Sequence, residues 1–251
     1  MGWGKKFAKV RNFLLQKTAN HYIGNDIISL IPKIYSYLSN NKLNYSTKEL
    51  EEIINGYNKF SDKDDYYTFR NYWNSKYTNN VYDKNFIYET ALLLKMCSNS
   101  MVRFNSNGEF NQGFRGIEEK TEFFNERMKN NIVSQLKMLE TALKQRRYTF
   151  YVMDFKNILP YTTPKDLLIL DPPYIPKTDM YNMNFTKKDD ELLLNFLTNT
   201  KSDFLYFNYL QSDKGINEGI YELLKNFKYN PLKIKEINNK SKSGQKRKDT
   251  K

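Results

Sequence analysis

The stretch LLILDPPYIP, Leu167 to Pro176, decides how the rest of the chain is read. Four apolar residues run straight into an acid, two prolines and a tyrosine. Such a run suits a buried parallel strand. Proline has no N–H to give a sheet ladder, so the strand must stop at Asp171. In open α/β sheets, ligands bind beyond the carboxyl ends of the strands. The stretch therefore predicts a parallel α/β sheet with a carboxylate, a rigid corner and an aromatic ring at its ligand-facing end.

The sequence on either side fits that frame. From Thr149 onward it alternates between strand-like and helix-like periods: YTFYVMDF and DLLILD, the helix KKDDELLLNFLTNT, the strand DFLYFNYL, and the helix NEGIYELLKNF. Alternation of this kind marks a mainly parallel sheet. Upstream, ANHYIGNDIISLIPKIYSYLSN reads as a short strand and then a helix, with Asn25 or Asp26 as its cap. Between them lies a long helical region. STKELEEIINGYNKF opens on a capping signature, YTFRNYWNSKY interleaves aromatics with basic and amide residues, and FIYETALLLKMCSNSMVRF and TEFFNERMKNNIVSQLKMLETAL are amphipathic or apolar helices. NSNGEFNQGFRG, rich in Gly and Asn, breaks that region as a loop or hairpin. The aromatics Tyr66, Tyr67, Phe69, Tyr72 and Trp73 are expected to pack in the core. The basic tail KSKSGQKRKDTK is expected to be a solvated loop.

Composition narrows the chemistry. A chain of 251 residues accommodates one large domain or one domain with an insertion. Cys97 is the single cysteine, which excludes an internal disulfide framework and a multi-cysteine zinc site. His21 is the single histidine and leaves little material for a His-based metal cluster or a Ser-His-Asp triad. No metal site is expected. There is no apolar run of membrane-spanning length and no cleavage pattern at the N-terminus, so a soluble cytoplasmic protein without a membrane partner is expected. The formal net charge of +12 favours a polyanionic partner, although abundant Lys, Asn, Ile and Tyr also fit an AT-rich genome.

Asp-Pro-Pro-Tyr at a strand end has a definite chemistry. The Asp171 carboxylate and the Pro172 carbonyl are acceptors with no competing N–H donor beside them, a pair suited to an amino group presenting both hydrogens. Pro173 stiffens the corner. Tyr174 adds a face for stacking a planar base, a contact worth about 1–3 kcal/mol. Together the four residues read as a pocket for the exocyclic amine of a flipped-out base.

This motif resembles the catalytic motif of amino-group DNA methyltransferases, and further blocks are similar to the Dam-type, class alpha, adenine branch in its usual order. YIGNDIISLI looks like the strand-end acidic motif whose acid holds the ribose hydroxyls of S-adenosylmethionine, which places Asp26 there. FYVMDFKNIL resembles the next strand and acid, placing Asp154 on the cofactor too, as the catalytic motif places Asp171 beside it. CSNSMVRFNSNGEFNQGFRG is similar to the family's DNA-recognition signature, placing Arg103, Asn105, Asn111 and Arg115 on DNA. Arg103 is expected at a base and Arg115, at the flexible far end, on phosphate. NMNFTKKDDELLLNFL looks like the helix after the catalytic loop. The resemblance implies a Rossmann-like, mainly parallel methyltransferase sheet formed by residues 1–44 and 148–251, with a mainly helical DNA-recognition insertion at 45–147. It implies transfer of a methyl group from S-adenosylmethionine to adenine in double-stranded DNA. The expected setting is a bacterial or phage-infected cell, with a cognate restriction endonuclease as a second partner.

Two departures from the family pattern stand out. Only MGWGKK precedes the Asp26 block, and Gly2 and Gly4 read as the tail of the glycine loop around the cofactor, with its strand missing. A closing strand is also expected after the basic tail. The chain thus reads as clipped at both ends, which raises a second expectation, a catalytically inactive DNA-binding remnant. A methyltransferase acting on RNA or protein amines shares the Asp-Pro-Pro-Tyr logic but leaves the recognition-like loop unexplained.

Overall fold

The computed structural model describes residues 19–57, 62–116, 124–173, 185–208, 211–212 and 215–226. Strand β1 (His21–Asn25) leads to α1 (Leu30–Asn40), and four further helices follow: α2 (Thr47–Asn55), α3 (Lys63–Thr78), α4 (Lys84–Met96) and α5 (Glu126–Lys144). Then come β2 (Arg147–Tyr151), the single turn α6 (Phe155–Ile158), β3 (Leu167–Leu170), α7 (Lys187–Asn199) and β4 (Asp203–Tyr206). A small hairpin, β5 (Gln211–Ser212) with β6 (Gly215–Ile216), and α8 (Glu218–Asn226) complete the described elements. None of these helices is long and apolar enough to cross a membrane.

Parallel pairing appears where the sequence calls for it. β1 runs beside β2 with Asn25 opposite Tyr151, and β3 beside β4 with Leu170 opposite Tyr206. Among the described residues these form two separate two-stranded ladders. The expected burial of β3 on both faces is not met. Leu170 packs inward against the smaller core, while Leu167 is 55% and Ile169 43% exposed. Among the described residues, α7 and α8 cover only the face of β3 that carries Leu170.

The larger core lies under the helices. Trp73 of α3 is fully buried, stacked on Tyr77 at 5.3 Å and on Phe86 of α4 at 5.1 Å. Its indole N–H donates to Thr90 Oγ1 at 2.9 Å, and that hydroxyl donates to the Phe86 carbonyl at 2.7 Å, so the buried polar atoms are paired. Tyr66 and Phe69 are equally buried, as expected for the aromatic run, whereas Tyr72 is 44% exposed. Tyr148 and Phe150 of β2 pack against the same core as α1 to α5, so no packing gap separates the helical segment from the first ladder. Leu159, Leu193, Leu197, Ile220 and Leu223 belong to a second, smaller core.

Local signals explain the helix starts. Ser46 Oγ accepts from Glu49 N at 3.2 Å and donates to Glu49 Oε2 at 3.0 Å, fixing the first turn of α2. Thr186 and Asp189 form the full reciprocal box at α7. The start of α1 differs from the expected cap. Asp26 Oδ1 accepts from Ile28 N at 2.9 Å and closes a turn before the helix, which begins after Ser29 without a side-chain cap. The short carboxylate reaches only two residues on, and the intervening turn moves the helix away from it.

Candidate functional site

Three acids stand just past the carboxyl ends of three parallel strands. Asp26 follows β1, and its N–H donates to the Tyr151 carbonyl at 3.3 Å, extending the ladder by one bond. It is half-buried and held by the turn onto Ile28. Beside it, the Asn25 amide donates from Nδ2 to the Met153 carbonyl at 3.1 Å, while Asn25 Oδ1 is buried without a partner. An orphaned acceptor at a strand end is costly unless a ligand donor completes it. Gly24 lets the strand lie close to β2: a Cβ there would stand 2.7 Å from Phe150 Cδ1.

Asp154, after β2, has its carboxylate engaged within the chain. Oδ1 accepts from Lys156 N at 2.9 Å, capping α6, and Oδ2 lies 3.2 Å from Lys156 Nζ. The same ammonium lies 2.8 Å from Asp189 Oδ1 at the start of α7. The hydrogen bond from Lys156, followed by the Thr186 backbone N–H, holds the Asp189 carboxyl down at about 2. Lys156 thus ties the turn after β2 to α7.

Asp171 follows β3. Phe207 N donates to the Leu170 carbonyl at 2.9 Å, the last ladder bond before Asp171, Pro172 and Pro173, all half-buried. Across the ladder, Asn208 donates to the Tyr206 hydroxyl at 2.7 Å, and that hydroxyl lies 3.3 Å from Asp190 Oδ1. Burial pushes the Asp190 carboxyl up, against the Tyr206 bond, and pushes the Tyr206 phenol up as well. Tyr174, Gly2, Gly4 and the basic tail lie outside the described residues.

The recognition-like loop is a hairpin clasped onto the helices. Phe104 and Phe110 bridge antiparallel, both rings buried in the larger core, and Cys97 bridges Phe114. Asn105 shapes the turn: its Oδ1 accepts from Asn107 N at 3.0 Å and Glu109 N at 2.9 Å, and its Nδ2 donates to Glu109 Oε2 at 2.9 Å. Gly108, at φ +75°, takes the left-handed position. The return arm lies along α3. Asn74 exchanges two hydrogen bonds with Phe110, N–H to Oδ1 at 2.8 Å and Nδ2 to O at 3.0 Å, while Tyr66 and Arg70 donate to the Gln112 carbonyl at 2.7 Å and 3.4 Å. Positions 66, 70 and 74 share one helix face, so side chains of a helix replace a neighbouring strand.

Of the two arginines expected at DNA, Arg115 is anchored, although expected at a flexible end, and Arg103 is exposed. α4 ends at Met96, and a 3-10 turn (Ser98–Ser100) separates it from Arg103. Its exposed guanidinium has no hydrogen bond or ion pair among the described residues. Arg115 is the anchored one: its N–H donates to Met96 O at 2.9 Å and its Nη1 to Lys95 O at 3.2 Å. The cause is the bridge of Cys97 to Phe114, which draws the far arm back onto the end of α4. Sequence reasoning missed Asn25, Asn74 and Arg70. Only the i, i+4 spacing of polar residues on α3 hints at the last two.

A family model for D12 class N6 adenine-specific DNA methyltransferases matches residues 10–241, spanning both the hairpin and the Asp171 strand end. The chain belongs to that family. Among its relatives, modification methylase StsI of Streptococcus sanguinis is 28% identical over 201 residues, which cover 76% of this chain. The aligned part spans 28% of that protein's length. The D12 methyltransferase family match thus covers the three strand-end acids and the hairpin alike. His21, by contrast, lies on β1 and pairs with Thr149 Oγ1 at 2.8 Å across an exposed ladder, away from all three acids in the chain order of the strands.

Proposed function

We propose that the chain transfers a methyl group from S-adenosylmethionine to the exocyclic amino nitrogen of a flipped-out adenine in a specific duplex sequence. The observation that carries this is the strand end itself: Asp171 and Pro172 begin where the β3–β4 ladder stops, at the bond from Phe207 N to Leu170 O. Bound S-adenosylmethionine supplies an electrophilic methyl on a positively charged sulfur. Asp26 fits its ribose, because a half-buried carboxylate at a strand end accepts from two hydroxyls, and the unpartnered Asn25 Oδ1 offers a further acceptor there. Asp154 contributes through its cap on α6, holding the floor of the site in place.

The amine of adenine is a poor nucleophile, since its lone pair delocalises into the ring. Hydrogen bonds to Asp171 and to the Pro172 carbonyl favour a pyramidal nitrogen, and alignment of the two reactants supplies much of the rate. Tyr174 stacks on the base in this reading. The proton leaves after attack, with Asp171 as its nearest acceptor. Residues 45–147 serve as the recognition insertion, with Arg103, Asn111 and Arg115 meeting DNA and Asn105 fixing the turn that presents them. In this reading the two parallel ladders belong to a Rossmann-like, mainly parallel sheet. The name of the relative, a modification methylase, supports a cognate restriction endonuclease as partner. A family match that runs through the catalytic strand as well as the hairpin favours an active enzyme over a DNA-binding remnant.

Asp171→Ala is expected to abolish transfer of labelled methyl groups to duplex DNA while binding in a gel-shift assay is largely kept. Transfer within about tenfold of the parent, about 1.4 kcal/mol in the barrier, overturns the mechanism.

A further inference from the structure

Every residue of α4 from Phe86 to Met96 is buried, and two of them, Glu89 and Lys95, carry charge. Glu89 has its counterion, Lys76 Nζ at 2.8 Å. Lys129 of α5, the other buried lysine among the described residues, has two, Glu126 at 2.7 Å and Glu51 at 3.2 Å. Lys95 has none. It is 7% exposed, and its ammonium makes no hydrogen bond or ion pair among the described residues. The charge that acts on it is of its own sign. Burial, and after it the Arg115 guanidinium, pushes the Lys95 ammonium below its ordinary value. Yet Lys95 Nζ is not sealed in, as Arg70 Nε and Asn111 Oδ1 are: the stem is buried and the tip meets solvent.

A cation in the last turn of a helix gains from the helix dipole, but an exposed lysine gains that at lower cost. Two cations at one turn, one of them buried without a counterion, make a site that an anion completes. The position selects the anion. Arg115 ties the far arm of the hairpin to the end of α4, so both cations stand at the hairpin's base. The formal net charge of +12 favours a polyanion, and a phosphodiester oxygen accepts from a guanidinium and an ammonium together. We propose that Lys95, with Arg115 beside it, holds one backbone phosphate of the duplex at the base of the hairpin. The assignment rests on the reading that the chain acts on duplex DNA. It adds an affinity residue on α4, outside the hairpin, that carries no base preference of its own.

The test replaces Lys95 by methionine, which keeps the apolar stem and removes the charge. Without DNA, Lys95→Met is expected to raise the urea midpoint, because a buried charge lacking a counterion is gone. On a duplex that the parent selects from a randomised pool, it is expected to bind about tenfold more weakly at fixed salt. A scrambled duplex is expected to lose as much. The slope of log affinity against log salt is expected to be shallower by about one unit, and Lys95→Arg, which keeps the charge, to restore it. A further arm alters the DNA, with one neutral methylphosphonate at each position in turn. One position is expected to weaken the parent about tenfold and Lys95→Met hardly at all. A lower midpoint in Lys95→Met would reveal a counterion within the chain and overturn the proposal. So would an unchanged slope, or the lack of any position at which parent and variant differ. Methyl transfer to the same duplexes separates the two readings. Transfer by the parent with DNA binding untouched in Lys95→Met keeps the enzyme and removes the phosphate site, and the Lys95 effects without any transfer do the reverse.

Discussion

At the scale of single residues, Gly24 and Asp26 act as a pair. The absence of a side chain at Gly24 lets Phe150 press against β1, and this close approach sets where the next residues emerge. Gly24→Ala forces a Cβ to within 2.7 Å of the Phe150 ring. Overpacking of that kind costs about 1–3 kcal/mol, readable as a lower urea midpoint, and an unchanged midpoint would show that the ring moves freely. Asp26→Ala is expected to weaken S-adenosylmethionine binding in calorimetry without altering DNA affinity. Equal cofactor affinity in parent and variant would remove Asp26 from the ribose. That Asp171 stands at the end of an apolar strand was legible in the sequence as a local pattern, whereas the role expected of Asp26 came from the family resemblance. The open acceptor of Asn25 was not legible, since a missing partner leaves no mark on the order of residues.

At the scale of elements, the decisive unit is the hairpin held on α3. Asn74 gives the Phe110 backbone both of its hydrogen bonds, so Asn74→Ala leaves a peptide N–H and C=O at the core's edge unpaired. A loss of about 1–3 kcal/mol is expected, with faster hydrogen exchange at Phe110 and its neighbours while α5 stays protected. Uniform loss of protection would mean that the clasp is a global rather than a local support. Cys97, just beyond α4, reports on the same joint. Burial pushes its thiol up to about 12, so almost no thiolate exists at neutral pH and labelling by a disulfide reagent is expected only as fast as the joint opens. Prompt labelling in native buffer would contradict that burial. The helices here were legible from periodicity and caps, and the hairpin from Asn and Gly. The burial of β3 was misread because an apolar run reports a strand's composition, whereas exposure of Leu167 and Ile169 depends on which helices reach its second face.

At the scale of the whole molecule, the two cores give pH two different addresses. In the smaller one, Asp190 lies beneath Tyr206, and burial raises its carboxyl above the ordinary aspartate value. A group raised on folding stabilises below its unfolded value and loses that contribution as pH climbs through the folded one. Asp190→Asn keeps an acceptor for Tyr206 and removes the buried charge. The variant is therefore expected to match the parent near pH 3.8 and to exceed it in thermal midpoint once pH passes the raised value, a difference that then stays level. A variant less stable at neutral pH would show that the ionised carboxylate is itself well solvated there.

The clasp on α3 also bears on how such a protein changes over generations. Phe104 and Phe110 keep the hairpin seated, and Asn74 closes it, whereas Ser106 and Asn107 at its tip are exposed and hold nothing in the core. Substitutions at the tip are then nearly invisible to selection for folding. If the hairpin meets DNA as proposed, a lineage built this way drifts in target while its Asp171 strand end stays constant, and close descendants are expected to differ first at positions 106 and 107.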